Sequence, residues 1–299
     1  MDDIILQSSP SRRTKLAIFD FDWTLVKPKD GRKFPKDIKD WQYIRESVPD
    51  VVRRFAKDHR IVILTDQSQL WKVDMIKAVI VDLGIDVTAI IGVKTKKPDP
   101  SLFVSVFPKL HSERSFYVGD AAGEKGDWSD KDRVFAESLG MKFIRPEEIF
   151  PLSKPKPLPA TAKAKKTQEV VIMVGYPASG KSTISKLLED DGYYRVEGDI
   201  HKSSSAMIKD AEKHLDKSIV FDSTAGTKTK RAEYIKFAEK HNLPVRIFWV
   251  QTSIDESIER NKQRAFEGEP KIPLVAFYMY RKHFEEPATS EGVNVVKIN

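Results

Sequence analysis

Two acidic side chains, Asp20 and Asp22, bracket one phenylalanine in I-F-D-F-D-W-T-L, directly after an apolar run. Like charges this close suit a site for a divalent cation, which tolerates carboxylates that otherwise repel. Three further strand ends offer complementary groups: Thr65 and Asp66 after R-I-V-I-L, Lys97 after the third run, and Asp120 after F-Y-V-G. The carboxylates suit Mg2+, and the hydroxyl and ammonium suit a phosphate. Far along the chain, G-Y-P-A-S-G-K-S-T comprises Gly175, Tyr176, Pro177, Ala178, Ser179, Gly180, Lys181, Ser182 and Thr183. It lies between V-V-I-M-V and the amphipathic I-S-K-L-L, the strand–loop–helix context in which backbone amides wrap the phosphates of a nucleotide. Lys181 should reach the β and γ phosphates of ATP, and the Ser182 hydroxyl should ligate Mg2+.

The elements that must position these groups follow one rhythm on both sides of residue 160: short β-rich runs alternate with helix-length amphipathic stretches. Strands are expected at 15–20, 60–65, 87–93, 115–119 and 142–144, and then at 170–174, 193–197, 218–222, 245–250 and 293–298. The fold class is α/β, with two doubly wound parallel-sheet domains, and ligands in such sheets gather at the carboxyl ends of the strands. Between the two series runs F-P-L-S-K-P-K-P-L-P-A-T-A-K-A-K-K-T-Q-E, too rich in proline for a helix or central strand. The expected division is 1–150, a Pro/Lys linker at 151–169 read as a solvated spacer, and 170–299.

Composition narrows the setting. The 299 residues suit two domains, and 40% hydrophobic with 32% charged residues describes a soluble globular protein. No apolar run approaches the ~20 residues of a membrane span, so no membrane partner is expected. With no cysteine, disulfides, thiolate catalysis and Cys-ligated zinc are excluded. The first residues, M-D-D-I-I-L-Q-S-S-P, lack a basic region followed by an apolar core. An intracellular protein, nuclear or cytoplasmic and not secreted, is expected. The net charge of +7 permits a polyanionic partner, and a merely soluble basic enzyme fits it as well.

The order D-x-D-x-T-L, Thr65, Lys97, Asp120 resembles the haloacid dehalogenase-like phosphohydrolases over roughly residues 14–145. The resemblance implies that Asp20 is the nucleophile forming a phosphoaspartate and that Asp22 is the general acid and base. It also implies that Thr65 and Lys97 bind the phosphoryl group and that Asp120 holds Mg2+ with Asp20; Asp22 joins the expected metal set. The segments 25–60 and 67–96 are too short for a large cap, so an open site is expected. The stretch F-Y-V-G-D-A-A-G-E-K-G-D-W-S-D-K-D-R-V-F-A resembles the signature of polynucleotide 3′-phosphatases. Glu124 departs from that pattern, standing for an arginine, and after Thr65 Asp66 replaces the usual asparagine, adding negative charge beside an anion site.

In the second half, Y-Y-R-V-E is followed by Gly198 and Asp199, where a carboxylate could accept the proton of an acceptor hydroxyl. Asp222 ends the next strand, suited to supporting Mg2+ or orienting an acceptor. The basic run S-I-E-R-N-K-Q-R could be a lid that brings Arg260 or Arg264 to the transferring phosphate. With D-S-T and Y-R-K-x-F-E-x-P, the whole chain from about residue 14 resembles the bifunctional polynucleotide phosphatase/kinases of eukaryotic domain order. That resemblance implies Asp199 as base for a 5′ hydroxyl and Asp222 and Arg231 lining the acceptor side. Gly198 departs from it, since the family has arginine there. No amino-terminal phosphopeptide-binding domain is expected, and a monomer is the default.

The expected function is nucleic-acid end healing: removal of a 3′ phosphate through Asp20, and transfer of the ATP γ-phosphate to a 5′ hydroxyl through Lys181 and Asp199. DNA or RNA ends are the expected partners, with Mg2+ and ATP as cofactors. A first rival keeps both chemistries on small metabolites, which the absent cap disfavours. A second is an end-binding module with decayed sites, suggested by Trp23, Asp66, Glu124 and Gly198.

Overall fold

The computed structural model describes residues 2–7, 13–29, 32–109, 111–124, 127, 129–152 and 157–299. The chain forms two compact units, Met1–Lys154 and Pro155–Asn299.

The first unit holds strands β1 (Ile4–Gln7), β2 (Leu16–Phe19), β3 (Val26–Lys27), β4 (Gln42–Tyr43), β5 (Arg60–Asp66), β6 (Val87–Gly92), β7 (Phe116–Val118) and β8 (Lys142–Ile144). Its helices are α1 (Val48–Phe55), α2 (Trp71–Leu83), α3 (Ser101–Val106), α4 (Lys131–Ser138) and α5 (Pro146–Ile149). Six strands make one sheet in the order β1-β6-β5-β2-β7-β8, and every pairing in it is parallel except β1 with β6. A parallel sheet buried on both faces needs continuous apolar strands. L-A-I-F of β2 meets that need, with all four residues buried. One core, including Phe19, Val48, Ile76 and Val79, covers one face, and another, including Ile18, Phe103 and Phe135, covers the other. Strand order reverses at β2: β5 and β6 lie to one side, β7 and β8 to the other. The crevice that such a reversal opens lies at the carboxyl ends of β2, β5 and β7.

The second unit holds β9 (Val170–Val174), β10 (Tyr194–Glu197), β11 (Ile219–Asp222), β12 (Val245–Val250) and β13 (Asn294–Ile298), all parallel, in the order β10-β11-β9-β12-β13. Its helices are α6 (Lys181–Asp190), α7 (Gly198–His201), α8 (Ser204–Ala211), α9 (Lys228–Lys240), α10 (Ile254–Phe266) and α11 (Leu274–His283). V-V-I-M-V of β9 is fully buried at the centre, with a core on each face.

All ten expected strands form, with ends within about one residue. Strands β1, β3 and β4 were not expected. The first is a four-residue antiparallel edge, and the other two form a two-residue ladder, too short for a period to register. Between the motif-bearing strands, the described residues carry only this small ladder and single helices, and no inserted cap domain.

The Pro/Lys stretch corrects the expectation of a solvated spacer. Residues 153–156 lie outside the described residues, but 157–169 pack onto the second unit. Leu158, Ala162 and Ala164 join its core. Arg246 donates to the carbonyls of Thr161 and Lys163 and to the fully buried Glu169 carboxylate, which also accepts from the Tyr193 hydroxyl. Leu158 and the alanines that follow Pro159 supply apolar groups, and the carbonyls of Thr161, in the short 3-10 turn Ala160–Ala162, and of Lys163 supply acceptors.

Candidate active sites

In the first unit Asp20 follows β2 and is 7% exposed. Lys97, equally buried, lies after β6. Its ammonium is 2.6 Å from Asp20 Oδ1 and 2.6 Å from Asp132 Oδ1, and it donates to the Tyr117 hydroxyl at 2.8 Å. Asp132 is fixed in turn by the Ala121 amide (3.1 Å), and Thr24 donates to Asp120 (3.3 Å). Oxygens of Asp20, Asp120 and Asp132 all lie within 4.8 Å of one another. Three hard carboxylate oxygens converging on one point fit Mg2+ in ligand type. Burial pushes the Asp20 carboxyl well above its ordinary range, against the pull of Lys97 and with the help of Asp132 and Asp120. Burial alone would lower Lys97, but Asp20, Tyr117 and Asp132 outweigh it and raise the ammonium well above its usual value. A compact cluster in which negative charge exceeds positive is one that gains from a further cation.

Asp22 is held differently. Both its oxygens lie 2.6 Å from the ammonium of Lys72 on α2, and Gln67 donates to it at 2.8 Å. Gln67 also donates to the buried Thr65 hydroxyl (2.9 Å) at the end of β5. The structure therefore brings Asp20, Thr65, Lys97 and Asp120 to one crevice and adds Asp132 to the carboxylate set, while the Asp22 carboxylate stays outside the metal cluster, on Lys72. Asp132 stood in the D-R-x-F-A signature without a role. Gln67 and Lys72 had none either.

The two acidic departures each meet a cation. Asp66 accepts from the Lys97 amide at 3.1 Å and from the Lys131 ammonium at 2.8 Å. Glu124 forms an ion pair with Arg145, which also faces Asp127 and Glu147. Trp23 takes a left-handed backbone, φ 60°, which explains why glycine suits this position. Its amide donates to the Val26 carbonyl and its indole N–H to the Lys33 carbonyl, at 2.8 and 3.1 Å. Asp40 ties down the same loop, accepting from the Lys29 and Lys36 amides and from Arg32.

In the second unit the loop from Gly175 to Gly180 joins β9 to α6. Gly180 sits at φ 102°, and a Cβ on Gly175 would meet Ser179 Oγ at 2.8 Å and the Val250 carbonyl at 2.9 Å; side chains are excluded at both positions. Lys181, the first residue of α6, is buried and donates to the Tyr176 carbonyl at 2.6 Å. Burial lowers its pKa to about 8, opposed by Asp222 and Asp199 and assisted by Arg264. Asp199 and Asp222 thus both face the cradle lysine electrostatically. Tyr176 packs on Tyr280 of α11 with ring centroids 4.7 Å apart. Ser182 and Thr183 open to solvent on the first turn of α6, and Pro177 and Ala178 complete the loop.

Three expectations change here. Asp222 has one oxygen already taken: its Oδ2 accepts from Ser185 (2.8 Å) and from Arg195 (2.7 Å), because both neighbours face it from α6 and β10. Arg231 does not line an acceptor side. It is fully buried, bidentate to Glu291 at 2.8 Å, and donates to the carbonyls of Ala225 and Glu285. Arg264 pairs with Glu269, and Arg260 is the helix α10 arginine that touches the loop, donating to the Ser179 carbonyl at 2.7 Å beside Thr252.

A parallel-sheet unit with its carboxylate crevice and a second with its phosphate-binding loop define a phosphatase joined to a kinase. The family model described as polynucleotide kinase 3 phosphatase matches residues 15–150, and one described as an AAA domain matches 170–287. The bifunctional polynucleotide phosphatase/kinase of Schizosaccharomyces pombe is 32% identical over 95% of this chain and 79% of its own. The putative bifunctional enzyme of Acanthamoeba polyphaga mimivirus is 25% identical over 95% of this chain and 84% of its own. A solved D,D-heptose 1,7-bisphosphate phosphatase from B. bronchiseptica is 19% identical over 43% of this chain and 78% of that one, with a TM-score of 0.33, too remote to bear on substrate. The chain belongs to the bifunctional polynucleotide phosphatase/kinase family.

Proposed function

We propose that this protein heals nucleic-acid ends, with residues 1–150 as the 3′-phosphatase and 170–299 as the 5′-kinase. One observation carries the reading: a chain alike over 95% of its length to a phosphatase/kinase keeps both constellations, Asp20–Lys97–Asp132 and the Lys181 cradle, at strand ends. A phosphatase/kinase acting on small metabolites is less favoured, because the two relatives matched over 95% of this chain are named as polynucleotide phosphatase/kinases and the described residues carry no cap domain over the first site.

In the first reaction an Asp20 oxygen attacks phosphorus, the bond to the 3′ oxygen breaks, and that oxygen takes a proton from Asp22. Water then attacks phosphorus, Asp22 recovers a proton, and phosphate leaves with Asp20 restored. Lys72 and Gln67 hold Asp22 for both steps, and Lys97 and Thr65 bind the phosphoryl oxygens. Mg2+, when held by Asp20, Asp120 and Asp132, offsets the repulsion between carboxylate and phosphate dianion. In the second reaction Asp199 takes the proton of the 5′ hydroxyl, whose oxygen attacks the γ-phosphorus while the bond to ADP breaks. Lys181 and the loop amides bind the ATP phosphates, with Ser182 toward Mg2+. The basic chain would follow the strand backbone, so binding should weaken with salt.

The test is to incubate 3′-phosphate, 5′-hydroxyl DNA and RNA oligonucleotides with Mg2+ and ATP, using wild type, Asp20→Asn and Lys181→Ala. Each variant should lose one activity and keep the other. Near-normal 3′-phosphate release by Asp20→Asn would sink the assignment.

A further inference from the structure

Asp66 is a charge in an awkward place. It follows Thr65 at the mouth of the crevice, where a phosphate dianion must arrive. One oxygen accepts from the Lys97 amide at 3.1 Å, a task that a neutral side-chain amide would perform without a charge. The other oxygen lies 2.8 Å from the Lys131 ammonium, contributed by the first residue of α4. The Asp66 side chain is 11% exposed and that of Lys131 39%, so the pair sits at the rim, the carboxylate largely shielded and the ammonium reached by water. Charges this near a partly desolvated site act over several ångströms with little screening.

We infer that Lys131 is a positioning residue for phosphate binding, acting through Asp66. By pairing with the carboxylate it cancels the charge that Asp66 would otherwise turn on the incoming dianion, and so sets the affinity of the site for phosphoryl oxygens. The inference rests on the phosphatase reading of the first unit but not on the identity of the leaving group. The same ion pair ties the start of α4 to the end of β5. Asp132, the next residue of α4, contacts Lys97, so a purely structural role must be separated from the electrostatic one.

The separating experiment measures kcat and KM for p-nitrophenyl phosphate and the inhibition constant of inorganic phosphate, with Mg2+, in wild type, Lys131→Ala, Lys131→Arg and the double variant Asp66→Asn/Lys131→Ala. Removing the ammonium alone should raise KM and the phosphate inhibition constant on the order of tenfold, the size of coupling that neighbouring charges show. It should leave kcat within about threefold, the pattern of lost binding rather than lost chemistry. Lys131→Arg should stay near wild type, and the double variant should recover most of the lost affinity, because the charge that needed cancelling has gone with its partner. An unchanged inhibition constant in Lys131→Ala, or a double variant as weak as that single variant, overturns the inference. Wild-type enzyme that hydrolyses p-nitrophenyl phosphate but not a 3′-phosphorylated oligonucleotide would defeat the polynucleotide reading and leave this one standing.

Discussion

The ammonium of Lys72 lies 2.6 Å from both oxygens of Asp22, with its own side chain 9% exposed. A lysine buried on a helix must be paired, since an unpaired buried charge is costly. Here the partner is the residue proposed to deliver and recover the proton. Replacing Lys72 by methionine keeps the buried stem and removes the grip. Asp22 would then sample other positions, and the loss should be largest where the leaving oxygen most needs a proton. On a 3′-phosphorylated oligonucleotide, with an alkoxide leaving group, kcat should fall by about 100-fold, the lower range for acid–base catalysis. On p-nitrophenyl phosphate, whose phenolate leaves readily, phosphoenzyme formation should change little. A rapid-mix burst of nitrophenolate followed by slow turnover is the expected trace; single-turnover phosphoenzyme formation slowed equally on both substrates would remove Asp22 positioning as the role of Lys72.

Arg231 is buried in α9, and Glu291 answers it from a distant part of the chain. The pair fastens the segment 285–291 to the helix and holds no open face. Arg231→Met should therefore destabilise the second unit by about 3–5 kcal/mol, as breaking one side of a buried pair does, because Glu291 is left charged without its partner. The Arg231→Met/Glu291→Gln double variant should recover part of that loss. Thermal unfolding checks both. An intact melting temperature together with a raised KM for the 5′-hydroxyl strand would restore the acceptor-side role.

Both lysine and arginine were more legible than they were made to be. On α2 the buried positions are Lys72, Val73, Met75, Ile76, Val79 and Leu83, and on α9 they are Arg231, Tyr234, Ile235, Phe237 and Ala238. In each helix the cation falls on the apolar stripe, which by itself demands a buried partner. Family resemblance assigned Arg231 to a ligand instead, and no motif pointed to Lys72. The strands were readable because parallel sheets need unbroken apolar runs, as in L-A-I-F and V-V-I-M-V. Asp20, Lys97, Asp120 and the cradle were readable because each follows such a run. What stayed hidden was pairing across the chain: Asp66 with Lys131, Glu124 with Arg145, and Asp222 with Arg195. Each partner is ordinary in its local sequence, and only the fold brings the charges together.

Trp23 has two opposed effects. Its φ of 60° costs a non-glycine residue about 1 kcal/mol or more, while its indole N–H holds the Lys33 carbonyl at 3.1 Å. Trp23→Gly should relieve the first and lose the second, leaving overall stability within about 1 kcal/mol of wild type. The local consequence is larger: residues 32–36 lose an anchor, while Asp40 keeps its hold on Lys36 and Arg32. Hydrogen exchange of that loop should accelerate on Trp23→Gly while the β2 and β5 amides keep their protection. Unchanged exchange in the loop would show that the indole contact does not hold it.

Lys181 ties the kinase reading to pH. Its folded pKa is about 8 against an ordinary 10.5, chiefly because burial penalises the ammonium. Between those two values the unfolded chain holds the proton more firmly than the folded one, so unfolding takes up a proton. The stability of the second unit therefore rises with pH across that window and is indifferent to this group below about 8. Phosphates entering the cradle bring negative charge to the same ammonium and must raise its pKa. Nucleotide binding should then take up a proton at pH 8.5, where the free lysine is partly neutral, and none at pH 6.5, where it is already charged. Titration calorimetry of ADP with Mg2+ in buffers of different ionisation enthalpy reads this directly: the observed heats should diverge at pH 8.5 and coincide at pH 6.5. Lys181→Arg, charged at both, should bind ADP more weakly for want of the lysine's shape but with no buffer dependence at either pH. Coincident heats at pH 8.5 for the wild type would mean that the lysine is charged before nucleotide arrives, so that burial in the empty cradle does not set its proton affinity.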